Sequence, residues 1–398
     1  MPNQKVILLS NTDWYLFNFR LPLAKMLRDR GFDVVLLSPE GSYGPKLREL
    51  GFRWEVMPME RRSLNPWREL GLVLWLARFF KREQPLLVHG FTIKGAVYGS
   101  LAARLAGVPI RVNAIDGLGY VFTSQQLRAR LLRPLVRNVM RSAFKGKRSV
   151  VILQNSDDIA LFSRWRIATD ESLRLIKGAG VNLARYRPHE RCAPQAAEPL
   201  RILLAARLIR EKGIGEYVEA SRMLKGEGRS VVFLLAGSPD DGNPAAIRRS
   251  QIEQWAREGL VVWLGHVGDM PALLADVDVV VLPSYYREGL PTTLIEGAAC
   301  ALPLITTDSP GCREVVSHNG GDGIRIPVRD ANALADAIRL LDDDREFGVK
   351  LGLAAREKAL KEFDENIVLS KMLAVYNELG AATPVPDLAQ LSAEIRIP

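Results

Sequence analysis

Short apolar runs alternate with helix-length stretches along this chain, and the alternation starts afresh after a Pro- and Ala-rich join. The first series is KVILLSN (5–11), DVVLLSP (33–39), FRWEVMPM (52–59), LLVHGFT (86–92), PIRVNAIDG (109–117), SVVILQ (149–154) and LRLIKG (173–178). The second is RILLAAR (201–207), SVVFLLAG (230–237), VVWLG (261–265), VVVLPS (279–284), LPLITTD (302–308) and IRIPV (324–328). Runs this short, apolar throughout, belong to strands buried on both faces; helices between them force parallel pairing and a doubly wound sheet. The chain therefore reads as two α/β domains of similar size. Residues 1–184 form the first and 200–362 the second, joined by a linker over 185–199 (RYRPHERCAPQAAEP). A length of 398 residues suits two cores. The tail 381–398 lacks a periodic core face and is expected to be loose.

Ligands in such sheets meet the carboxyl ends of the strands, so the turns after the strands are where chemistry is sought. One stands out. VDVVVLP runs into SYYREGLPTTLIEGAA (284–299), in which Gly289 and Pro291 order the start of a helix. Free N–H groups and the positive dipole end there suit phosphate. Glu288 and Glu296, eight residues apart, flank it. A carboxylate accepts hydrogen bonds from paired hydroxyls, so the stretch points to a sugar nucleotide.

Further residues fall on the same edge. Arg207 and Lys212 follow the strand at 201–206 and supply a fork and a point charge for a diphosphate. Gly237, in GSPDD, and His266 with Val267, in GHVGDM, end two more strands and could border a nucleobase or be plain turns. In the first domain, Asn11, Thr12, His89, Gly117 and Gly119 sit at strand ends facing the expected cleft. His89 could pair with a substrate hydroxyl or phosphate, or be a satisfied structural histidine. Asp276 and Asp278 form a D-x-D at a helix-to-strand junction, where capping is the better reading, and no metal is expected. GAGVNL (178–183) opens no helix and is no dinucleotide fingerprint.

Charge is uneven. Residues 1–190 carry 31 Lys and Arg against 15 Asp and Glu, and the remainder 23 against 30, so a basic half adjoins an acidic one. Such a half faces a polyanion or an anionic surface. Within it, LRARLLRPLVRNVMRSAFKGKR (127–148) holds eight cations and no acid. Arg133, Arg137, Arg141 and Lys145 recur every four residues beside an apolar stripe of Leu132, Leu135, Val136, Val139 and Ala143. That pattern predicts a helix lying on anionic lipid. The aromatic stretch around Trp67, Trp75, Phe79 and Phe80, flanked by Arg61, Arg62, Lys81 and Arg82, leans the same way. No nucleic-acid module is visible, so nucleic acid is set aside. Three scattered cysteines (Cys192, Cys300, Cys312) suit a reduced, cytoplasmic protein. The first residues read as a strand rather than a signal peptide, and LGLVLWLARFF (70–80) is too short to span a bilayer.

Taken together, Arg207 with Lys212, the E-x7-E of Glu288 and Glu296, PSYYREGLP and TDSPGCREVV resemble retaining glycosyltransferase family 4 over 5–380. NTDWYLFNFR, FTIKGAVYGSLAARLAGVP and GLGYVFT are similar to the branch acting on undecaprenyl-diphosphate-linked sugars, which includes the N-acetylgalactosaminyltransferase that extends lipid-linked bacillosamine. Gly297-Ala298-Ala299 replaces a usual Ala-Met-Ala, and Gly90 a bulkier residue. The resemblance implies a GT-B fold, two Rossmann-like domains across a cleft, with a helix over 363–380 crossing back and a hinge near 181–187. It implies a UDP-sugar donor, a polyprenyl-diphosphate-linked acceptor and no other cofactor. Arg207 and Lys212 would then neutralise the departing diphosphate, Glu296 hold the ribose, and Glu288 contact the sugar. Backbone N–H groups of Gly289, Leu290 and Thr292, in the stretch that runs through Pro291, would lie near the sugar and phosphates, and His266 and Val267 would border uracil. Two other classes fit the same fold, a nucleotide-sugar epimerase or hydrolase and a non-catalytic sugar-nucleotide binder.

Overall fold

The computed structural model describes residues 4–61, 63, 65–117, 122, 127–189, 198–240 and 242–381. Gly119, part of the linker (190–197) and the tail beyond Ala381 lie outside the described residues.

Two parallel sheets account for the apolar runs. The first holds β1 (Lys5–Leu9), β2 (Asp33–Ser38), β3 (Arg53–Val56), β4 (Leu87–Phe91), β5 (Ile110–Ile115), β6 (Ser149–Leu153) and β7 (Leu173–Leu175), in the order β3-β2-β1-β4-β5-β6-β7. The second holds β8 (Leu200–Ala205), β9 (Val231–Ala236), β10 (Val262–Gly265), β11 (Val279–Leu282), β12 (Leu304–Thr307) and β13 (Ile324–Ile326), in the order β10-β9-β8-β11-β12-β13. Both orders step outward from a central pair and reverse, so each sheet has a switch point where a crevice opens. The longer helices are α1 (Leu21–Asp29), α2 (Pro66–Glu83), α3 (Thr92–Leu105), α4 (Leu127–Phe144), α5 (Ser156–Arg164), α6 (Ile214–Gly226), α7 (Arg249–Arg257), α8 (Thr292–Ala299), α9 (Ala331–Asp343), α10 (Arg345–Lys358) and α11 (Glu365–Glu378).

Period-two alternation sorts the first sheet's side chains between two helical layers. Val6 and Leu8 pack with α1 and α11, whereas Ile7 and Leu9 pack with α2 and α3. From α11, Val368, Met372, Val375 and Tyr376 sit at helical spacing in the first lobe's core, although the chain has by then completed the second lobe. Burying each such side chain is worth roughly 1.5–3 kcal/mol, enough to return the C-terminal helix to the N-terminal lobe. Gly90 has a packing reason. A Cβ there would lie 2.5 Å from the Gly95 carbonyl, so the bulkier residue usual at this position cannot fit between β4 and the start of α3.

Candidate functional site

The second sheet's carboxyl edge gathers most of the donor-side candidates. Arg207 follows β8, Gly237 follows β9, His266 and Val267 follow β10, and the Pro283–Pro291 turn follows β11. Gly213, in the left-handed region at φ 77°, lets the Arg210–Lys212 turn press on β11, for a Cβ would meet the Pro283 carbonyl at 2.1 Å. That closeness delivers Lys212, whose Nζ lies 2.5 Å from Glu288 Oε1. Ser284 Oγ donates to the same oxygen at 2.8 Å. The Glu211 carbonyl accepts from the N–H groups of Tyr285 and Tyr286 at 2.9 and 3.0 Å, which fixes the turn between them. Arg207 is exposed and pairs with Asp240 at 3.0 Å. Both cations thus face carboxylates beside the amino end of α8.

That helix end carries no side-chain cap, so its first N–H groups are open to water or a ligand. Thr293 Oγ1 donates to the Ala205 carbonyl at 2.8 Å and pins the helix start to β8. Leu290 is buried in the lobe core and Pro291 is the N-cap residue, while Thr292 is half-buried. Glu296, one turn further along α8, accepts from Tyr186 Oη at 2.8 Å. Burial pushes its carboxyl up to about 7, against the opposing pull of the tyrosine and Arg185. Gly237 packs so closely on the Ala206 carbonyl, 1.9 Å from a would-be Cβ, that it is the join between two strand ends. His266 is exposed and Val267 half-buried.

Across the cleft the N-terminal lobe touches the same turn. Asn155 Nδ2 donates to the carbonyls of Glu288 and Gly289, at 3.1 and 3.0 Å. Asp158 pairs with Arg287 at 2.7 Å, and Ser156 donates to Glu314 through its N–H and hydroxyl. Gly289 has no room for a side chain, because a Cβ would sit 2.0 Å from the Asp116 carbonyl. Gly117 lies opposite Gly289 N, 3.7 Å from a would-be Cβ. Asp116 itself is gripped by Tyr15, Gln154 and Arg20, the last at 3.2 Å. Burial raises its carboxyl above the usual range, offset by Arg20.

One expectation on the acceptor side is corrected. His89 does not reach the cleft. It is fully buried, its Nδ1 is 2.6 Å from Tyr376 Oη, and its ring stacks on Phe91 at 4.0 Å. The cause is strand parity: Leu87, His89 and Phe91 share the face covered by α1 and α11. Burial holds its pKa well below the usual value, so it is neutral. Thr12 caps the following turn by accepting from Tyr15 N at 3.2 Å, with Asn11 half-buried beside it. Gly119 lies outside the described residues.

The basic helix also differs in detail. In α4, Met140, Ala143 and Phe144 are buried and Val136 and Val139 pack against them, but Leu132 and Leu135 of the expected apolar seam are 38% and 60% exposed. Leu131 is 71% exposed. Arg133 and Arg137 are half-buried, Lys145 is exposed past the helix end, and Arg141 donates to the carbonyls of Trp165 and Arg166 at 3.0 and 2.8 Å. The four cations therefore do not form one solvated stripe, because Arg141 is occupied in fastening α4 to the turn after α5. The D-x-D is tied up by Arg201, whose N–H donates to Asp278 at 2.7 Å and whose guanidinium pairs with Asp276. Among the described residues, no group of three or more His, Cys, Asp or Glu is placed to hold a metal.

Three residues escaped the sequence reading. Asp116 sits in the quoted AIDG and Asn155 in QNSDD, a pattern that also marks an ordinary N-cap; Asn155 does cap α5. Tyr186 carries no local signal, since its partner is 110 residues away.

Residues 5–155 match the family described as glycosyl transferase 4-like, and residues 199–344 that described as glycosyl transferases group 1. The N,N'-diacetylbacillosaminyl-diphospho-undecaprenol alpha-1,3-N-acetylgalactosaminyltransferase of Campylobacter jejuni is 30% identical over 381 residues, 93% of this chain and 98% of that one. The UDP-Gal:alpha-D-GlcNAc-diphosphoundecaprenol alpha-1,3-galactosyltransferase of Escherichia coli is 23% identical, covering 85% of this chain and 87% of its own. Among solved structures, Anabaena Alr3699/HepE in complex with UDP and glucose superposes with a TM-score of 0.75 at 20% identity, over 94% of this chain and 99% of that one. Two facing parallel sheets, a site at the second sheet's carboxyl edge and these matches place the chain among the group 1, family 4-like glycosyltransferases of GT-B fold.

Proposed function

We propose that this glycosyltransferase moves a sugar, an N-acetylhexosamine, from a UDP-sugar to a saccharide carried on polyprenyl diphosphate, in the building of a cell-surface glycan. The observation that carries the reading is the pair of cations, Arg207 and Lys212, each held against a carboxylate beside the uncapped start of α8. A diphosphate arriving there competes for both cations and for the free N–H groups of α8. Lys212 turns from Glu288 to the phosphate, and Glu288 becomes available to the sugar hydroxyls. Glu296 takes the ribose diol. The names of two relatives, both transferases acting on diphospho-undecaprenol-linked sugars, support the acceptor class.

In this reading the protein stabilises charge developing on the leaving UDP, chiefly through Lys212 and Arg207. The acceptor attacks from the face that the diphosphate leaves, a diphosphate oxygen takes its proton, and configuration is retained. No side chain serves as nucleophile and no metal is required. The acceptor enters from the basic N-terminal lobe. No helix among the described residues is long and apolar enough to cross a membrane. Contact with the inner face of the plasma membrane is instead assigned to exposed apolar residues set among cations. These are Trp67, Leu70 and Leu74 on α2, at 78%, 49% and 42% exposure, and Leu131 and Leu135 on α4. Purified protein incubated with labelled UDP-N-acetylhexosamine and a lipid-linked acceptor should transfer label to lipid. Isomerisation or release of the sugar without acceptor would refute the proposal.

A further inference from the structure

The chain crosses between the lobes twice, and the crossings are bonded to each other. Val181 N donates to the Phe363 carbonyl at 2.8 Å and Glu365 N to the Val181 carbonyl at 3.1 Å, while Asn182 Nδ2 reaches Glu365. Gly180, at φ 81°, permits the contact, since a Cβ would lie 2.4 Å from Glu365 Cα. The next residues form one tight turn. Asn182 Oδ1 accepts from the N–H groups of Ala184 and Arg185 at 3.1 and 2.9 Å, and Tyr186 N donates to the Asn182 carbonyl at 2.9 Å. Arg356 of α10 then donates to the Tyr186 carbonyl at 3.0 Å and also to that of Ala299, at the end of α8. The tyrosine ring enters the second lobe's core with 9% exposure, and its hydroxyl ends 2.8 Å from Glu296 Oε1.

We propose that Tyr186 is a positioning residue of the nucleotide site, holding one oxygen of Glu296 from the lobe-crossing turn so that the carboxylate is presented to the ribose hydroxyls. The proposal rests on the reading of Glu296 as the ribose ligand. It gives the hinge a direct hold on donor recognition, because the turn that carries Tyr186 is the one bonded to the return crossing. A carboxylate has enough lone pairs to accept from the phenol and the ribose together. Without the phenol, the Glu296 side chain loses the bond that fixes its rotamer.

The groups facing Glu296 are Tyr186 and Arg185 from the crossing turn, Cys300 from its own helix, and Arg356 of α10 beside Cys300. Burial favours the protonated carboxyl, and the Tyr186 hydrogen bond and Arg185 favour the ionised one. Ribose hydroxyls donate to the ionised form, so UDP affinity should rise as pH passes upward through about 7. Removing the phenol hydroxyl removes a hydrogen bond that favours ionisation, and the midpoint should move upward.

The test compares wild type, Tyr186→Phe and Glu296→Gln for binding of UDP and of 2',3'-dideoxy-UDP between pH 5.5 and 9, with thermal melting as the folding control. Wild type should prefer UDP at least tenfold. Tyr186→Phe should lose most of that preference, shift its midpoint upward, and raise the donor KM while leaving kcat at saturating donor near wild type. Undiminished preference with an unmoved midpoint in Tyr186→Phe would overturn the proposal. Glu296→Gln separates the two readings. If it too keeps the full preference for UDP, the ribose assignment itself fails. If it loses the preference and Tyr186→Phe does not, only the role of Tyr186 falls.

Discussion

Replacing Gly289 by Ala tests whether lobe closure is read at the donor turn. The new Cβ would lie 2.0 Å from the Asp116 carbonyl oxygen and 2.6 Å from Gln154 Oε1. A carbon and a carbonyl oxygen need about 3.3 Å, so the lobes must part locally by about 1.3 Å. The turn cannot retreat into its own lobe. Gly311 is already packed behind it, with a would-be Cβ 2.4 Å from the Gly289 carbonyl. Parting by that much stretches the two Asn155 bonds, now 3.1 and 3.0 Å, past hydrogen-bonding range, and pulls Asp158 from Arg287. Two hydrogen bonds at about 1 kcal/mol each and a partly exposed ion pair at up to about 1 kcal/mol give roughly 3 kcal/mol against the closed state. That is on the order of a 100-fold fall in kcat/KM for transfer to a lipid-linked acceptor. UDP binding should stay within a few-fold, because Arg207 and Glu296 are untouched. Small-angle scattering should report a larger radius of gyration. Unchanged scattering together with kcat/KM within threefold of wild type would refute the closure argument.

Lys212→Ala should lower turnover by at least two orders of magnitude in the same transfer assay with the fold retained, since it removes the cation, paired here with Glu288, that we propose to meet the departing diphosphate; turnover near wild type would exclude that role. Tyr376→Phe strands the buried Nδ1 of His89 and should cost about 1–3 kcal/mol in denaturant unfolding, with little change in donor KM. Glu83, bound by Arg53 and Lys5, has its pKa lowered to about 2. Its contribution to stability is present above the unfolded carboxyl value and fades as pH falls toward 2, so Glu83→Gln should lower the Tm at pH 7 and not at pH 2. Leu131→Ser with Leu135→Ser should reduce co-sedimentation with anionic vesicles at unchanged Tm, because both side chains are already exposed.

The strand alternation made both sheets legible, since runs buried on two faces have few other uses, and most residues proposed for the donor edge follow strand ends of the second lobe, with Glu296 further on in α8. Parity within a strand was harder to read. His89 and its neighbours are apolar-flanked on both sides, so only the pairing of β4 with β1 and β5 determines which layer the imidazole enters. The burial of the α4 stripe was hard to read for a related reason. Leu132, Leu135, Val136, Val139 and Ala143 share one apolar stripe, yet α3 covers only the half of the helix that starts near Val136 and leaves Leu132 and Leu135 exposed. Interlobe contacts were out of reach altogether. Asn155 meets Glu288 133 residues away, and its side chain contacts carbonyls, which every residue type possesses.

That last detail bears on how closure is controlled. The N-terminal lobe holds the donor turn through the main-chain oxygens of Glu288 and Gly289 and through Arg287, leaving the Glu288 carboxylate to Lys212 and Ser284. Further bonds across the cleft are polar as well, with Ser156 and Lys177 both meeting Glu314 and Asp157 meeting Arg313. Contacts of this kind are individually weak and exchange readily for water, so the lobes should open and close at small cost. A donor that draws Lys212 away from Glu288 changes the side chain without touching the carbonyls that Asn155 grips. Closure then depends on the path of the backbone from Arg287 to Gly289, and a donor influences it by fixing that path. On this argument Asn155→Ala and Gly289→Ala should impair transfer alike, and the double variant should be scarcely worse than either alone, because both act on one closing contact.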